Sequence, residues 1–328
     1  MSTKLYPIKF HPILMDKIWG GEKLHTIFGK PMENLPNIGE SWELSGYNGH
    51  VSVVSNGFLK GNNLNEIIEI YMGDLVGDHI YDKFGNEFPL LIKFIDTNDM
   101  LSIQVHPDDE TANKRHNSFG KTEMWYIIQA EKDSYLISGF KEKISSETYV
   151  KAVEENKIES YLAKHNVTAG DVFFMPTGRV HAIGSGIMLA EIQQTSDLTY
   201  RIYDFDRRDA NGNSRELHTE LAKDVIDFEI PESYRTLYTP KNNKTVEVVK
   251  SPYFVTGILD VNIPVERDYY PFDSFAILMC VEGNAEIEYG KGLKETIAKG
   301  ETVLIPAELR QINLLPETSC RFLEVYNP

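Results

Sequence analysis

Cysteine is nearly absent from this chain of 328 residues: Cys280 and Cys320 are its only two. That excludes a disulfide framework and a thiolate metal cluster. Long apolar runs are missing as well. No stretch reaches the roughly 18 consecutive apolar residues of a membrane helix. Residues 1–7 (MSTKLYP) have no apolar core of the kind that directs secretion. A reduced, cytoplasmic setting is expected. Positive charge is scarce too, with 33 Lys and Arg against 49 Asp and Glu, a net charge of −16. Such a balance argues against nucleic acid and anionic membrane surfaces as partners. An anionic small substrate would need a local positive field, from a metal or from arginines. No macromolecular partner is expected beyond a weak homo-oligomer, and a monomer fits equally well.

The chain is instead rich in short apolar runs separated by glycine and proline turns. The most informative is residues 170–181, GDVFFMPTGRVH, which reads as G-x5-P-x-G-x-x-H. A glycine turn feeds an apolar strand, Pro176 and Gly178 make a second turn, and His181 follows on the return strand. This arrangement turns an imidazole into a small β-barrel. Residues 88–96 read as a buried strand. In residues 101–106, Leu101, Ile103 and Val105 share one face, and Ser102, Gln104 and His106 share the other. Residues 121–128 and 188–194 are further strands. Helical patterns cover 62–72 behind an Asn62 cap, two short pieces of 145–162, and 217–228, where Leu217, Leu221, Val225 and Phe228 form a stripe. Residues 231–244 read as a polar, proline-flanked linker.

The sequence also repeats itself weakly. GETVLIP at 300–306 matches GDVFFMP at 170–176, an offset of 130 residues. DSFAIL at 273–278 resembles EMWYII at 123–128 at an offset of 150. The difference is close to the length of the helical stretch 145–162, as expected for a duplicated β-unit with one helical insert. In the later copy His181 becomes Gln311, so only the earlier copy is equipped for metal chemistry. Two domains are expected, 1–235 and 236–328, the second degenerate and without metal ligands. Shielding an open sheet edge of the first is its expected structural role.

The G-x5-P-x-G-x-x-H stretch resembles the second motif of the cupins, which are jelly-roll or double-stranded β-helix barrels. The usual first cupin motif is not followed, because Glu123 comes 17 residues after His106. That departure points to a narrower family. WGG at 19–21, GESWE at 39–43, LSIQVHPD at 101–108, GKTEMWY at 120–126 and EIQQTSDLTYR at 191–201 together resemble the type I phosphomannose isomerases in their shorter bacterial form. The resemblance implies a mainly β fold of two cupin barrels, with a few short helices inserted in and after the first. It implies one Zn²⁺ per chain, held by His106, Glu123 and His181, with Gln104 as candidate fourth ligand. It also implies a sugar phosphate substrate, mannose 6-phosphate interconverting with fructose 6-phosphate by proton transfer between C1 and C2 through an enediol or enediolate. Arg201 matches the family's catalytic arginine and Lys121 an active-site lysine. Glu191, Asp197 and a zinc-bound water are candidates for the base, and Arg179, Arg207 and Arg208 for the phosphate.

The residues themselves agree with this. Gln104 and His106 lie two apart on a strand and share a face. Two imidazoles and one carboxylate suit Zn²⁺ with a position left open. Trp125 and Tyr126 read as core. The run Asp108-Asp109-Glu110 reads as a helix start favoured by its dipole, and the other seven histidines receive no role. A non-catalytic sugar-binding cupin and a cupin metalloenzyme acting on another sugar phosphate are the alternatives.

Overall fold

The computed structural model describes residues 4–31, 35–208 and 212–328. Two β-units are built on one plan. In the first, a seven-stranded sheet runs in the order Arg235–Thr236, Val172–Met175, Glu123–Ala130, Ile187–Gln194, Leu90–Thr97, Ile38–Ser45, Ile13–Gly21. Opposite it lies a five-stranded sheet of Tyr200–Tyr203, Ile103–Val105, His181–Ile183, Tyr135–Phe140 and Leu162–Asn166. The second unit repeats this order with a six-stranded sheet (Ile8–Lys9, Thr302–Ile305, Ala276–Glu282, Cys320–Tyr326, Val255–Val261, Thr245–Lys250). Its four-stranded partner is Val265–Asp268, Gln311–Pro316, Asn284–Tyr289 and Leu293–Ala298. Strand for strand, Val172–Met175 corresponds to Thr302–Ile305 and His181–Ile183 to Gln311–Pro316, so the repeat legible in the sequence is a repeat of topology. Gly170 and Gly300 occupy the same turn, with φ of 94° and 85°. Those are left-handed values that a side chain would strain, which is why glycine recurs there. One strand crosses over: Ile8–Lys9, from the chain's start, pairs with Thr302–Ile305.

Period-two alternation decides what each face of a strand does. On Ile187–Gln194, Ile187 and Leu189 pack inside the first barrel, while Met188, Ala190 and Ile192 point the other way. On Cys320–Tyr326, Cys320 and Phe322 fill the second barrel, and Leu323 and Val325 point outward. These outward faces meet. Met124, Tyr126, Phe94 and Ile192 join Ile258, Ile277, Leu323 and Val325 in a single core between the two large sheets. The second unit therefore covers the broad back of the first, not an edge as the sequence suggested. With both faces buried, the large sheet of the first unit is held flat against a fixed support.

The structure refines local signals at three places. The helix foreseen over 62–72 starts at Leu64 behind Asn63, whose side chain and that of Glu66 bond each other's backbone N–H. It kinks at Met72 (φ 46°, ψ -127°), its expected end, before continuing to Val76. A further helix follows at Asp78–Phe84. The stripe over 217–228 yields only the helix Thr219–Lys223. At its start the His218 N–H donates to the Arg201 carbonyl, and beyond its end the Asp227 N–H donates to the Gly178 carbonyl. Both bonds tie the chain to barrel strands and turns, and they pull it out of the helical path. The stretch 231–244 is not a free linker either. Arg235–Thr236 pairs with Val172–Met175, and the Tyr238 hydroxyl donates to the Gly170 carbonyl at 2.7 Å. Among the described residues no helix is long and apolar enough to cross a membrane.

The shared core makes a prediction. Leu323 is fully buried in it, whereas all three tryptophans (Trp19, Trp42, Trp125) belong to the first unit. Leu323→Ala should cost about 2–5 kcal/mol, and tryptophan fluorescence in a urea titration should register the loss as a lower midpoint. A tryptophan transition left where it was, with a separate earlier transition by circular dichroism, would show that the units unfold independently.

Candidate metal centre and its cavity

The strand Ile103–Val105 sits between His181–Ile183 and Tyr200–Tyr203, in a register that sets Gln104 opposite both His181 and Arg201. His106 is the first residue beyond that strand. Glu123 opens the strand Glu123–Ala130 on the facing sheet, opposite Gln193 and Met175. Three side chains from separate strands thus converge, and each is at most 2% exposed. Glu123 Oε1 lies 3.3 Å from His181 Nε2, and Oε2 lies 3.5 Å from His106 Nε2. One ligand atom from each residue falls within 4.8 Å of the others.

His181 Nδ1–H donates to the Arg179 carbonyl at 2.8 Å, so Nε2 carries a lone pair. That lone pair faces a carboxylate oxygen. His106 Nε2, His181 Nε2 and Glu123 Oε2 are all buried without a hydrogen-bond partner. Unpaired buried polar atoms are costly, and the His181 lone pair and the carboxylate oxygen repel unless a cation or proton lies between them. Burial holds both imidazoles below the usual histidine range, His181 at about 4, so both are neutral as ligation requires. Burial and the nearby Glu191 carboxylate push Glu123 up to about 8, a rise that a divalent cation would reverse. The donor set fits a metal ion.

A cavity of about 370 Å³ opens beside these residues, and Gln104, Lys121, Glu191, Asp197 and Arg201 all line it. Ser102 and Gln104 line the cavity and His106 is buried beside Glu123, so the polar face of 101–106 looks inward and not to bulk water. Lys121 Nζ lies 3.6 Å from Glu123 Oε2. Arg201 donates to the Glu216 carbonyl at 3.0 Å, while its Nε is buried without a partner. Glu191 accepts from Trp125 Nε1 at 2.9 Å through one oxygen and meets Lys93 Nζ at 3.2 Å through the other. Trp125 is core, as expected, and it also stands edge-on to His181 at 5.3 Å between ring centroids. Asp197 is exposed at the mouth.

Arg179, Arg207 and Arg208 are not among the cavity's lining residues. Arg179 stacks over Tyr234, Arg207 is bonded to Asp204, and Arg208 donates to the Gly212 carbonyl. Arg215 is the further arginine at the wall, paired with Asp204. Sequence reasoning passed over it, along with Lys17, Glu40, Lys93 and His218. The signal for Lys93 was present: a lysine in the middle of the apolar run 88–96 must find carboxylates, because lone buried ammonium groups are rare. It finds two, Glu191 and Glu40, the latter at 3.7 Å. Despite burial, Lys93 and Lys17 hold Glu40 down at about 2, and Lys93 and Lys121 hold Glu191 below the ordinary carboxylate range. His218 accepts the Arg201 backbone N–H on Nδ1 at 3.1 Å, which puts its proton on Nε2.

A family model described as phosphomannose isomerase type I, catalytic domain, matches residues 8–135. That span includes Gln104, His106, Lys121 and Glu123 and stops short of His181 and Arg201. The mannose-6-phosphate isomerase ManA of Bacillus subtilis is 35% identical over 324 residues, 98% of each chain. The mannose-6-phosphate isomerase of Streptococcus mutans is 35% identical over 309 residues, 93% of each chain. Among solved structures, a mannose 6-phosphate isomerase from Bacillus subtilis superposes with a TM-score of 0.88 at 30% identity, covering 98% of this chain and 99% of that one. A phosphomannose isomerase variant from Salmonella typhimurium, 16% identical with a TM-score of 0.82 over 98% of this chain and 100% of that one, shares the fold.

The buried Glu40–Lys93–Glu191 set fixes a pH dependence. Glu40 lies at about 2 against an ordinary 4.5, so its contribution to stability is present above pH 4.5 and disappears as the pH falls toward 2. Its size is on the order of 3 kcal/mol. Lys93→Met takes the buried cation from Glu191 and leaves Glu40 with Lys17 alone, and it should destabilise by about 3–5 kcal/mol at pH 7. Because those carboxylates then favour protonation, the deficit should shrink as the pH is lowered to 5. Urea titrations of both proteins at the two pH values measure this. A deficit that grows on acidification would reverse the assignment.

Proposed function

Because the chain belongs to the type I phosphomannose isomerases, we propose that it interconverts mannose 6-phosphate and fructose 6-phosphate with one Zn²⁺ held by His106, Glu123 and His181, and by Gln104 as fourth ligand. The observation that carries this reading is the convergence of three buried residues with metal-ligating atoms that lack hydrogen-bond partners, beside a cavity ringed with cations. Two imidazoles and a carboxylate are a catalytic zinc set that leaves room for substrate. When bound, the ion supplies Lewis acidity to the oxygens on C1 and C2 of the sugar.

The chain's own residues account for the rest. Moving a proton between C2 and C1 builds negative charge on oxygen in an enediolate, and preorganised cations nearby lower that barrier. Lys17, Lys93 and Arg215 at the wall are already paired with carboxylates. Arg201 has no carboxylate partner among the described residues, and its Nε is bare. It is therefore the guanidinium left for the sugar, with Lys121 beside it for the same developing charge. For the base, both Glu191 oxygens are engaged by Trp125 and Lys93, and its proton affinity is depressed. A carboxylate so held serves to orient. Asp197, at the cavity mouth without a hydrogen bond or ion pair among the described residues, is the one free to take the proton.

The test offers mannose 6-phosphate and measures fructose 6-phosphate before and after chelation, then restores Zn²⁺, Mn²⁺ or Mg²⁺ singly. Activity should vanish with chelator and return best with Zn²⁺. Metal-loaded protein with no turnover would favour a sugar-binding role. Arg201→Ala should lower kcat by about 10²–10³-fold with KM little changed. Full turnover in that variant would remove Arg201 from the mechanism, and Asp197→Asn retaining activity would do the same for the base.

A further inference from the structure

The ligands His106 and Glu123 are joined by the segment 107–122, which leaves the barrel, forms the helix Asp109–His116 and returns. What fixes its return fixes two ligands and Lys121 together. Asp108 caps the helix, accepting from the Thr111 N–H at 2.8 Å, so Asp109 is not needed as a cap. Asp109 instead accepts three other bonds. Its Oδ1 takes the Gly120 N–H at 2.8 Å and Gln194 Nε2 at 2.9 Å, and its Oδ2 takes the Tyr253 hydroxyl at 2.8 Å. Gln194 is 4% exposed and grips the backbone of Thr122 from both sides. Its Oε1 accepts the Thr122 N–H at 2.9 Å, and its own N–H donates to the Thr122 carbonyl at 3.2 Å. Thr122 lies between Lys121 and Glu123. The loop's return is so close that a Cβ on Gly120 would stand 2.8 Å from Asp109 N. Tyr253 belongs to the second unit and is held in turn, its carbonyl accepting Asn327 Nδ2 at 2.7 Å.

We infer that Asp109 is a positioning residue for the metal centre, latched by Tyr253 of the second unit and acting through Gln194 and the Gly120 backbone on Lys121 and Glu123. The inference rests on the metal reading above. It gives the unit without ligands a part in the chemistry: a side chain from the second barrel sets the position of a carboxylate in the first. Outer-shell groups of this kind orient ligands, and their loss loosens the ion. A separate cavity of about 530 Å³, lined by Asp109, Gln194, Phe119 and Tyr253, lies against the clamp. Water can enter there and replace part of what the Tyr253 hydroxyl supplies, so Asp109 carries the larger share.

The experiment measures zinc affinity by chelator competition and the visible spectrum of the Co²⁺-substituted full chain, alongside kcat, KM and thermal midpoint. Asp109→Ala should weaken zinc by about 10–100-fold, shift the cobalt bands and lower kcat more than it changes KM. Asp109→Asn keeps Oδ1 for Gly120 and Gln194 and can donate Nδ2–H to the Tyr253 oxygen, so it should rescue both affinity and spectrum. Tyr253→Phe should fall between the two and add nothing to Asp109→Ala, since the hydroxyl acts only through that carboxylate. Parental affinity and spectrum in Asp109→Ala, or losses that add in the double variant, would overturn the inference while leaving the isomerase reading intact. If Asp109→Ala does not fold, unchanged zinc affinity in Tyr253→Phe overturns it instead. A parent chain that binds no metal would overturn both.

Discussion

A carboxylate faces the lone pair of His181 at 3.3 Å and the Nε2 of His106 at 3.5 Å, sealed from water, and this crowding of buried polar atoms is the constraint to which the barrel answers. Left to themselves the three groups would rotate apart or take up protons. They are kept facing one another by strand register and by the backbone. The Arg179 carbonyl fixes the tautomer of His181, and burial keeps both rings neutral. A rigid site of this kind needs rigid walls. The large sheet that carries Glu123 and Glu191 has them because the other face of its central strands is packed against a second sheet.

The duplication shows what the same scaffold does without that constraint. Strand Cys320–Tyr326 is the counterpart of Ile187–Gln194, and it too carries a buried carboxylate, Glu324, on the face that looks into its barrel. There Arg267 binds both oxygens at 2.8 and 2.7 Å, and the hydroxyls of Tyr269 and Thr245 add two more bonds. Every acceptor position near that carboxylate is filled by the protein itself. In the first barrel Glu191 is met by Lys93 and Trp125, whereas Glu123 has only Lys121 at 3.6 Å and its Oε2 keeps no hydrogen bond. The difference between the two barrels comes down to how far the protein itself satisfies the buried carboxylate.

Some of this was legible in the sequence and some was not, for physical reasons. The Gly170 and Gly300 turns were readable because a left-handed backbone leaves glycine little competition, whatever surrounds it. His106, Glu123 and His181 were readable from motif order, and their meeting is a consequence of strand pairing that order alone does not display. The helix over 217–228 failed because its stripe is a local signal, and two backbone bonds to the barrel outweigh it. Lys93 was passed over inside an apolar run although it is the charge that keeps Glu40 and Glu191 ionised. Asp109 was assigned to a helix dipole because its real partners are 11, 85 and 144 residues away, a relation that no sequence window contains.

A chain of net charge −16 that handles a phosphorylated sugar must separate what the substrate meets from what the solvent meets. Mobile ions screen exterior carboxylates within about 8 Å at physiological salt, whereas charges lining a cavity are screened far less. Five cations, Lys17, Lys93, Lys121, Arg201 and Arg215, stand at one wall. Most are already balanced by Glu40, Glu191 and Asp204. Those pairs hold the cavity's shape and cancel much of their own field. The field that an anionic substrate feels therefore comes from Arg201, which has no carboxylate partner among the described residues, and from Lys121 to the extent that an ion held by the three donors takes over its partner Glu123. Positive charge need not be abundant in the sequence for this to work. It has only to be left without a carboxylate partner where the substrate would sit, as Arg201 is.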